Sequence, residues 1–202
     1  DARDPAHVER DLAHLDALAG ETAAFAPADI QARAAALAEV VHMSHGYTGD
    51  AQTYDDMQNA SLIRVIDRKK GLPVALGILH MSIAHRLGWR MIGLGFPGHF
   101  LLRVETSEGP VALDPFSQGR LVLPSELTRR ALRAGLTPHV ADRLDVLMAP
   151  VSDRHALIRL QNVLFNRAIR AADYEGAERS ALRRALLDPD DHRPWLDVAA
   201  AR

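Results

Sequence analysis

The run GLPVALGILHMSIAHRLG, Gly71 to Gly88, constrains the fold more than any other stretch of the chain. Gly71 ends what precedes it and Pro73 suits the first position of a helix, where no backbone donor is needed. Apolar residues then occupy most of the circumference until Gly88. A helix with no face to give to water belongs at the centre of a domain, with other elements packed around it. The remainder of the 202 residues, at 48% hydrophobic overall, is enough to supply that surround.

What precedes the run is helical in pattern. Val8, Leu12 and Leu15 fall on one face, and Ile30, Ala34, Leu37 and Val41 on another, so two helices are predicted between Asp1 and about His45. APADI breaks them, with Pro27 near a first turn and Asp29 available to the exposed amides of the second helix. HGYTGDAQTYDD reads as a loop, and Asn59 to Arg68 as a short helix.

After the run come RMIGLGF, HFLLRVE and PVALD, separated by Pro-Gly and TSEGP turns, the pattern of an antiparallel meander. Register decides what the meander brings together. With TSEG as the hairpin loop, Val104 faces Val111, Leu101 faces Asp114, and His99 lies diagonal to Asp114 on the same sheet face. With TS alone as the loop, His99 and Asp114 are directly opposed; loops of odd length place them on opposite faces. The same-face registers are expected. From PSEL onward the helical pattern returns, broken at GLTP, MAPVSD and LDPDD.

An imidazole beside a carboxylate is the pairing that orients a general base, because the carboxylate fixes the tautomer and stabilises the protonated ring. His99 and Asp114 are therefore the candidate catalytic pair. Each also has a plain structural reading, as a strand-edge histidine and an Asp-Pro turn residue. The chain contains no cysteine, which excludes disulfides, thiolate metal sites and a cysteine nucleophile. A net charge of -2 argues against nucleic acid as a partner. The chain opens on DARDP without Met; no run of about 18 apolar residues and no secretory pattern is visible, so a cytoplasmic protein without membrane contact is expected.

Taken together, NASLIRVIDRKKGLPVALGILHMSIAHRLGW, GFPGHFLLRV and LDPFSQGRLV resemble the bacterial SirB-type family of transglutaminase-like proteins, in order and at compatible spacing over about Gly46 to Leu127. The resemblance implies an α+β, papain-like core in which a central helix packs on a small antiparallel sheet. It also implies that His99 and Asp114 stand where active relatives keep the last two members of a Cys-His-Asp triad. In those relatives the cysteine lies at the amino-terminal end of the central helix. Here that end reads GLPVALG: Val74, Ala75 and Leu76 carry no nucleophilic atom, and Ala75 and Gly77 replace serines common in SirB-type relatives. Acyl transfer by the usual covalent route is not available.

Other residues invite the same weighing. His42 and His45, at i and i+3, with Asp50 in the following loop, form an imaginable divalent-metal site; a polar helix end explains them as well, and no metal and no cofactor is expected. Asn59, Ala75, His80 and Arg103 are candidate binding residues: Asn59 to line the site or cap its helix, Ala75 at the helix tip, His80 if the central helix turns it toward the pocket, though a core histidine is the favoured reading, and Arg103 on the predicted face of His99, though an exposed strand arginine is favoured. NVLFNRAIRAADYEGAERSALRRALLDPDD resembles a tetratricopeptide repeat, with Ala177 and Pro189 at its spacing and Arg184 departing from it. Two regions follow: residues 1–128, a transglutaminase-like domain with amino-terminal helices, and residues 129–202, a helical tetratricopeptide-like segment. A transglutaminase-like protein without its nucleophile, binding a protein or peptide, is the leading expectation. An acid/base enzyme acting on a small molecule through His99 and Asp114 is the alternative, and a metal-dependent hydrolase a third.

Overall fold

A computed structural model describes residues 5–107 and 109–201. Two helices open the chain, α1 (Pro5–Ala24) and α2 (Ile30–Ala38), and Asp29 caps the second by accepting from the amide of Ala32 at 2.7 Å. Without a break, α2 continues into wider π-helical turns over Glu39–Ser44, in which the amide of His45 reaches back five residues to the carbonyl of Val40. The loop read as structureless contains β1 (Thr48–Gly49), paired parallel with β2 (Lys70–Gly71), and between them lies α3 (Leu62–Arg68).

The apolar run forms α4 (Pro73–Arg86), and ten of its fourteen residues are buried. Four strands follow: β3 (Met91–Leu94), β4 (Leu101–Thr106), β5 (Gly109–Asp114) and β6 (Arg120–Val122). After α5 (Pro124–Arg133), α6 (Pro138–Ala141) and α7 (Leu144–Leu147), a two-residue strand β7 (Pro150–Val151) joins the same sheet. Its order is β6-β5-β4-β3-β7, antiparallel throughout. Val104 pairs with Val111 and Leu102 with Leu113, the register expected from TSEG as a loop. Pairing continues to Thr106 and Gly109, so the turn itself is tighter.

Pleating sends alternate residues of β4 to two cores. Phe100, Leu102 and Val104 join Leu76, Leu79 and Ile83 of α4, whereas Leu101 packs with Ala112, Val122, and Leu127 of α5. Close approach of helix and sheet rests on two glycines. A Cβ on Gly77 would lie 2.5 Å from the Phe100 ring and one on Gly93 2.6 Å from it, so the ring fits only between residues without side chains.

The chain ends in α8 (Asp153–Arg170), α9 (Tyr174–Leu187) and α10 (Arg193–Ala201), each packed on the next. Ala156 and Leu160 of α8 enter the main core beside α4, so this helix belongs to the packing of the central layer. The buried face of α1 is not the one expected from its apolar spacing. Val8 and Leu12 are 43% and 47% exposed; the inward face of α1 is instead Asp11, Leu15, Leu18 and Thr22. Thr22 is tolerated there because its hydroxyl donates to the carbonyl of Leu18 at 2.7 Å. Helix and small antiparallel sheet together make an α+β fold.

Candidate functional site

Three elements converge at the amino-terminal tip of α4. The tip is fixed from behind, where the amide of Leu72 donates to the carbonyl of Asn59 at 2.9 Å. No side chain caps it, and Pro73 at its start has no amide hydrogen to satisfy. Opposite stands the Phe96–His99 turn, in which Gly98 adopts φ of 68°. Arg159 of α8 pins that turn on both sides, donating through Nη2 to the carbonyls of Phe96 at 2.9 Å and His99 at 2.8 Å. The third element is Asp114 at the end of β5.

His99 and Asp114 meet: Nε2 of the ring lies 2.9 Å from Oδ1 of the carboxylate. Asp114 is 1% exposed and its remaining acceptor capacity is filled. Oδ1 also accepts from the amides of Phe116 and Ser117, and Oδ2 from the Ser117 hydroxyl at 3.0 Å and from Nη1 of Arg130 at 2.9 Å. Burial alone would push this carboxyl up. The hydrogen bonds and charge of His99 and Arg130 outweigh it and hold Asp114 well below the usual carboxylate range. With Nε2 engaged, Nδ1 of His99 takes no partner among the described residues. The ring also stands edge-on to Phe116, with centroids 6.1 Å apart.

His99 lines a cavity of about 220 Å³ between the α4 tip and α8. Leu72, Pro73 and Val74 form the tip's share of the wall, and Arg159, Asn166, Arg167 and Arg170 that of α8. Among the described residues no serine, threonine or cysteine lines it; its one hydroxyl belongs to Tyr54. The loop carrying Tyr54 and Asp55 is drawn in by Arg167, whose guanidinium donates to the carbonyls of Tyr54 at 2.7 Å and Asp56 at 2.9 Å. Three guanidinium groups against the one carboxylate of Asp55 give the cavity a positive wall.

The other candidates lie elsewhere. Ala75 is fully buried and outside the lining, which its neighbours Pro73 and Val74 supply. Asn59, also fully buried, donates to the carbonyl of Thr53 at 2.7 Å and accepts from Arg68, bracing the loop that carries Tyr54. Arg103 is on the far face of the sheet from α4, paired with Ala112 and bonded to Glu105 and to the carbonyl of Met148, and it does not line the cavity. His80 is directed into the core, away from the cavity. Its Nδ1 meets the carbonyl of Leu76 at 2.8 Å and its Nε2 lies 3.1 Å from Nε2 of His42, whose own Nδ1 meets the carbonyl of Tyr47 at 2.7 Å. Burial pushes both rings down, His80 to about 3. His45 pairs instead with Glu21, and Asp50 with Thr53, so His42, His45 and Asp50 do not converge. Among the described residues no three histidine or carboxylate side chains are placed to hold a metal ion.

Sequence reasoning missed Arg130, Arg159 and Arg167. The only trace of the latter two was the run of arginines from Arg154 to Arg184, which marks a charged helix without saying which members turn inward.

Residues 9–162 match the family model described as the transglutaminase-like superfamily. A UPF0162 protein of Xylella fastidiosa (strain 9a5c) is 32% identical over 158 residues, covering 77% of this chain and 56% of the relative. A UPF0162 protein of Pseudomonas aeruginosa is 30% identical over 223 residues, covering 94% and 80%. F-box only protein 21 of Homo sapiens is 26% identical over 117 residues, covering 54% and 19%. The chain spans little more than half the length of the Xylella relative. No solved structure matches it.

Proposed function

This chain belongs to the transglutaminase-like superfamily, and we propose that it is a binding module for a protein or peptide rather than an acyl transferase. One observation carries this reading. The His99–Asp114 pair is fully assembled, yet the helix tip facing it offers Leu72, Pro73 and Val74 to the cavity where an attacking atom would have to stand. A positive wall and amides at an uncapped helix tip suit a carbonyl or carboxylate group of a peptide, and the vacant Nδ1 of His99, an acceptor while Nε2–H donates to Asp114, suits a donor such as a backbone N–H.

Within the superfamily we assign the chain to the SirB-type bacterial proteins, working in the cytoplasm on a protein partner, not on nucleic acid or a membrane. Among the described residues no helix is long and apolar enough to cross one. We take residues 129–202 as the helical, tetratricopeptide-like segment, its boundary lying within α5 and its helix α8 joining it to the central layer.

A second reading is favoured by the same Nδ1: an imidazole oriented by a carboxylate and open to a small cavity is equipped for proton transfer on a small molecule. A defined peptide array separates the two. Peptides captured by the protein are retested by fluorescence anisotropy against wild type and His99→Ala, and the mixtures are examined for altered peptide. Weaker capture by His99→Ala with peptide recovered unchanged is the expected result. Turnover that vanishes in His99→Ala would replace the binding reading with the enzymatic one.

A further inference from the structure

Arg159 brings a positive charge to the wall of the His99 cavity with no carboxylate to meet it. Its Nη2 donates to two neutral carbonyls, those of Phe96 and His99. Nε and Nη1 take no partner among the described residues, and neither is among the shielded atoms of the interior, so these donors stay reachable at the wall that Arg159 forms. Burial pushes the guanidinium down from its ordinary value, and a charge held this way is destabilising until an anion joins it. The surroundings do not supply that anion. Arg170 is exposed and takes no ion-pair partner among the described residues, and Arg167 is 3.6 Å from Asp55, the one carboxylate on the wall, whose side chain is 83% exposed. Asp114, behind His99, is already shared between that ring and Arg130. Three cations against one carboxylate leave the cavity with an excess of positive charge.

The other groups on the wall narrow the kind of anion. While Nε2–H of His99 donates to Asp114, Nδ1 is an acceptor and suits a donor such as a backbone N–H. It belongs to the residue whose carbonyl Arg159 holds at 2.8 Å, so acceptor and cation stand side by side. Pro73, Val74 and Val163 add an apolar surface. A carboxylate, an amide N–H and a side chain on one carbon are what the last residue of a polypeptide carries. An aspartate or glutamate inside a chain uses its side chain for the carboxylate and has none left for the apolar wall; an inorganic anion has no apolar part at all. At about 220 Å³ the cavity is smaller than the roughly 300–1,000 Å³ of most small-molecule sites, which suits the end of a chain rather than a run of one. We propose that the His99 cavity captures the free carboxyl terminus of a partner protein, its α-carboxylate on Arg159 in the field of Arg170, its last amide on Nδ1 of His99, and its terminal side chain against Pro73, Val74 and Val163. The inference rests on the peptide-binding reading and names the part of the peptide that is held.

The test uses the whole chain and short rhodamine-labelled peptides of glycine and serine ending in valine, titrated by anisotropy. Each is made as the free acid and as the terminal amide; a third form ends in glutamate with its terminus amidated. The free acid binds at least about tenfold more tightly than either amide. Arg159→Gln brings free acid and valine amide within about twofold of each other, whereas an arginine that only held the turn would weaken both alike and leave their ratio unchanged. Arg170→Glu, at an exposed position, weakens the free acid at least about threefold, and Arg129→Glu, the same charge change on α5, does not. Methylating the last amide nitrogen weakens the free acid, and His99→Ala adds nothing to that loss. Equal binding of free acid and valine amide, or a ratio unmoved by both Arg159→Gln and Arg170→Glu, would overturn the inference; if that binding still fell in His99→Ala, the peptide-binding reading would stand and the carboxyl-terminal assignment alone would fail. Equal or tighter binding of the glutamate amide would transfer the site to side-chain carboxylates, and displacement of the free acid by inorganic phosphate as readily as by unlabelled peptide would reduce it to a general anion hole; either result overturns the inference. Absence of binding by all three peptides overturns it as well, and the array of unrelated sequences then decides the wider reading.

Discussion

Arg130, on α5, donates through Nη1 to Oδ2 of Asp114 across 2.9 Å, on the side of the carboxylate away from His99. The carboxylate that orients the imidazole is thus anchored from beyond the sheet, and the pair keeps its geometry without help from the α4 tip. The fold can therefore lose an attacking atom at that tip and still keep the remainder of the site in place.

Replacing Asp114 by Asn tests the anchor. The substitution leaves Arg130 beside a neutral amide in a buried setting and costs about 3–5 kcal/mol, the range for breaking one side of a buried pair. The sign with pH follows from the lowered carboxyl. Asp114 contributes stability that is present above the unfolded carboxylate range, near pH 4, and is lost as pH falls toward its folded value. Urea unfolding of wild type and Asp114→Asn from pH 7 to pH 3 should show the two curves converging in acid.

The His42–His80 pair predicts a second acid limb, starting at higher pH. Because burial holds His80 down at about 3, the unfolded chain takes up its proton first. The pair's contribution is therefore complete above about pH 6.5 and declines below it, by at most about 1.4 kcal/mol per pH unit for one ring. His80→Leu removes the larger share of this limb, leaving that of the buried His42, and costs about 1–3 kcal/mol at pH 7.5 because Nε2 of His42 loses its neighbour. Unfolding free energies at pH 7.5, 6 and 5 check it.

Val74→Cys puts a thiol at the uncapped helix tip on the wall of the His99 cavity. A helix amino terminus and an adjacent imidazole both favour thiolate, so iodoacetamide should alkylate this cysteine at pH 7 about tenfold faster than the same cysteine in a His99→Ala background. Equal rates would mean that the imidazole does not face the tip.

Gly77→Ser places a hydroxyl in the first turns of α4 without creating chemistry. Its Cβ would press on the Phe100 ring at 2.5 Å, one residue from His99, and destabilisation of about 1–3 kcal/mol is expected from overpacking. Urea unfolding measures it, and esterase activity toward a nitrophenyl ester should stay at the background level.

What could be read from residues alone divides by the range of the contacts involved. The burial of α4 follows from one uninterrupted apolar run, and the pairing of Val104 with Val111 from a turn and two alternating strands, all local in sequence. His99 and Asp114 could be brought together because the same hairpin carries both. Strands β6 and β7, of three and two residues, are too short to show a period. Arg159 reaches His99 across 60 positions and Arg167 reaches Tyr54 across 113; nothing in a helical pattern marks one arginine of many for such a contact. The face of α1 was misread because Val8 and Leu12 outweigh Thr22 on any hydrophobic scale, while the structure satisfies Thr22 locally and buries it. The apolar run favours a core position for His80, but its partner there, His42, is 38 positions away and nothing in the sequence links the two.

The most direct measurement is the intact mass of protein and peptide after prolonged incubation of a captured peptide with wild type and with His99→Ala. Binding without chemistry predicts that both components return at their starting masses, with the complex weakened in the variant. A covalent adduct on the protein, or a peptide cleaved, joined or deamidated in wild type and spared in His99→Ala, would contradict it.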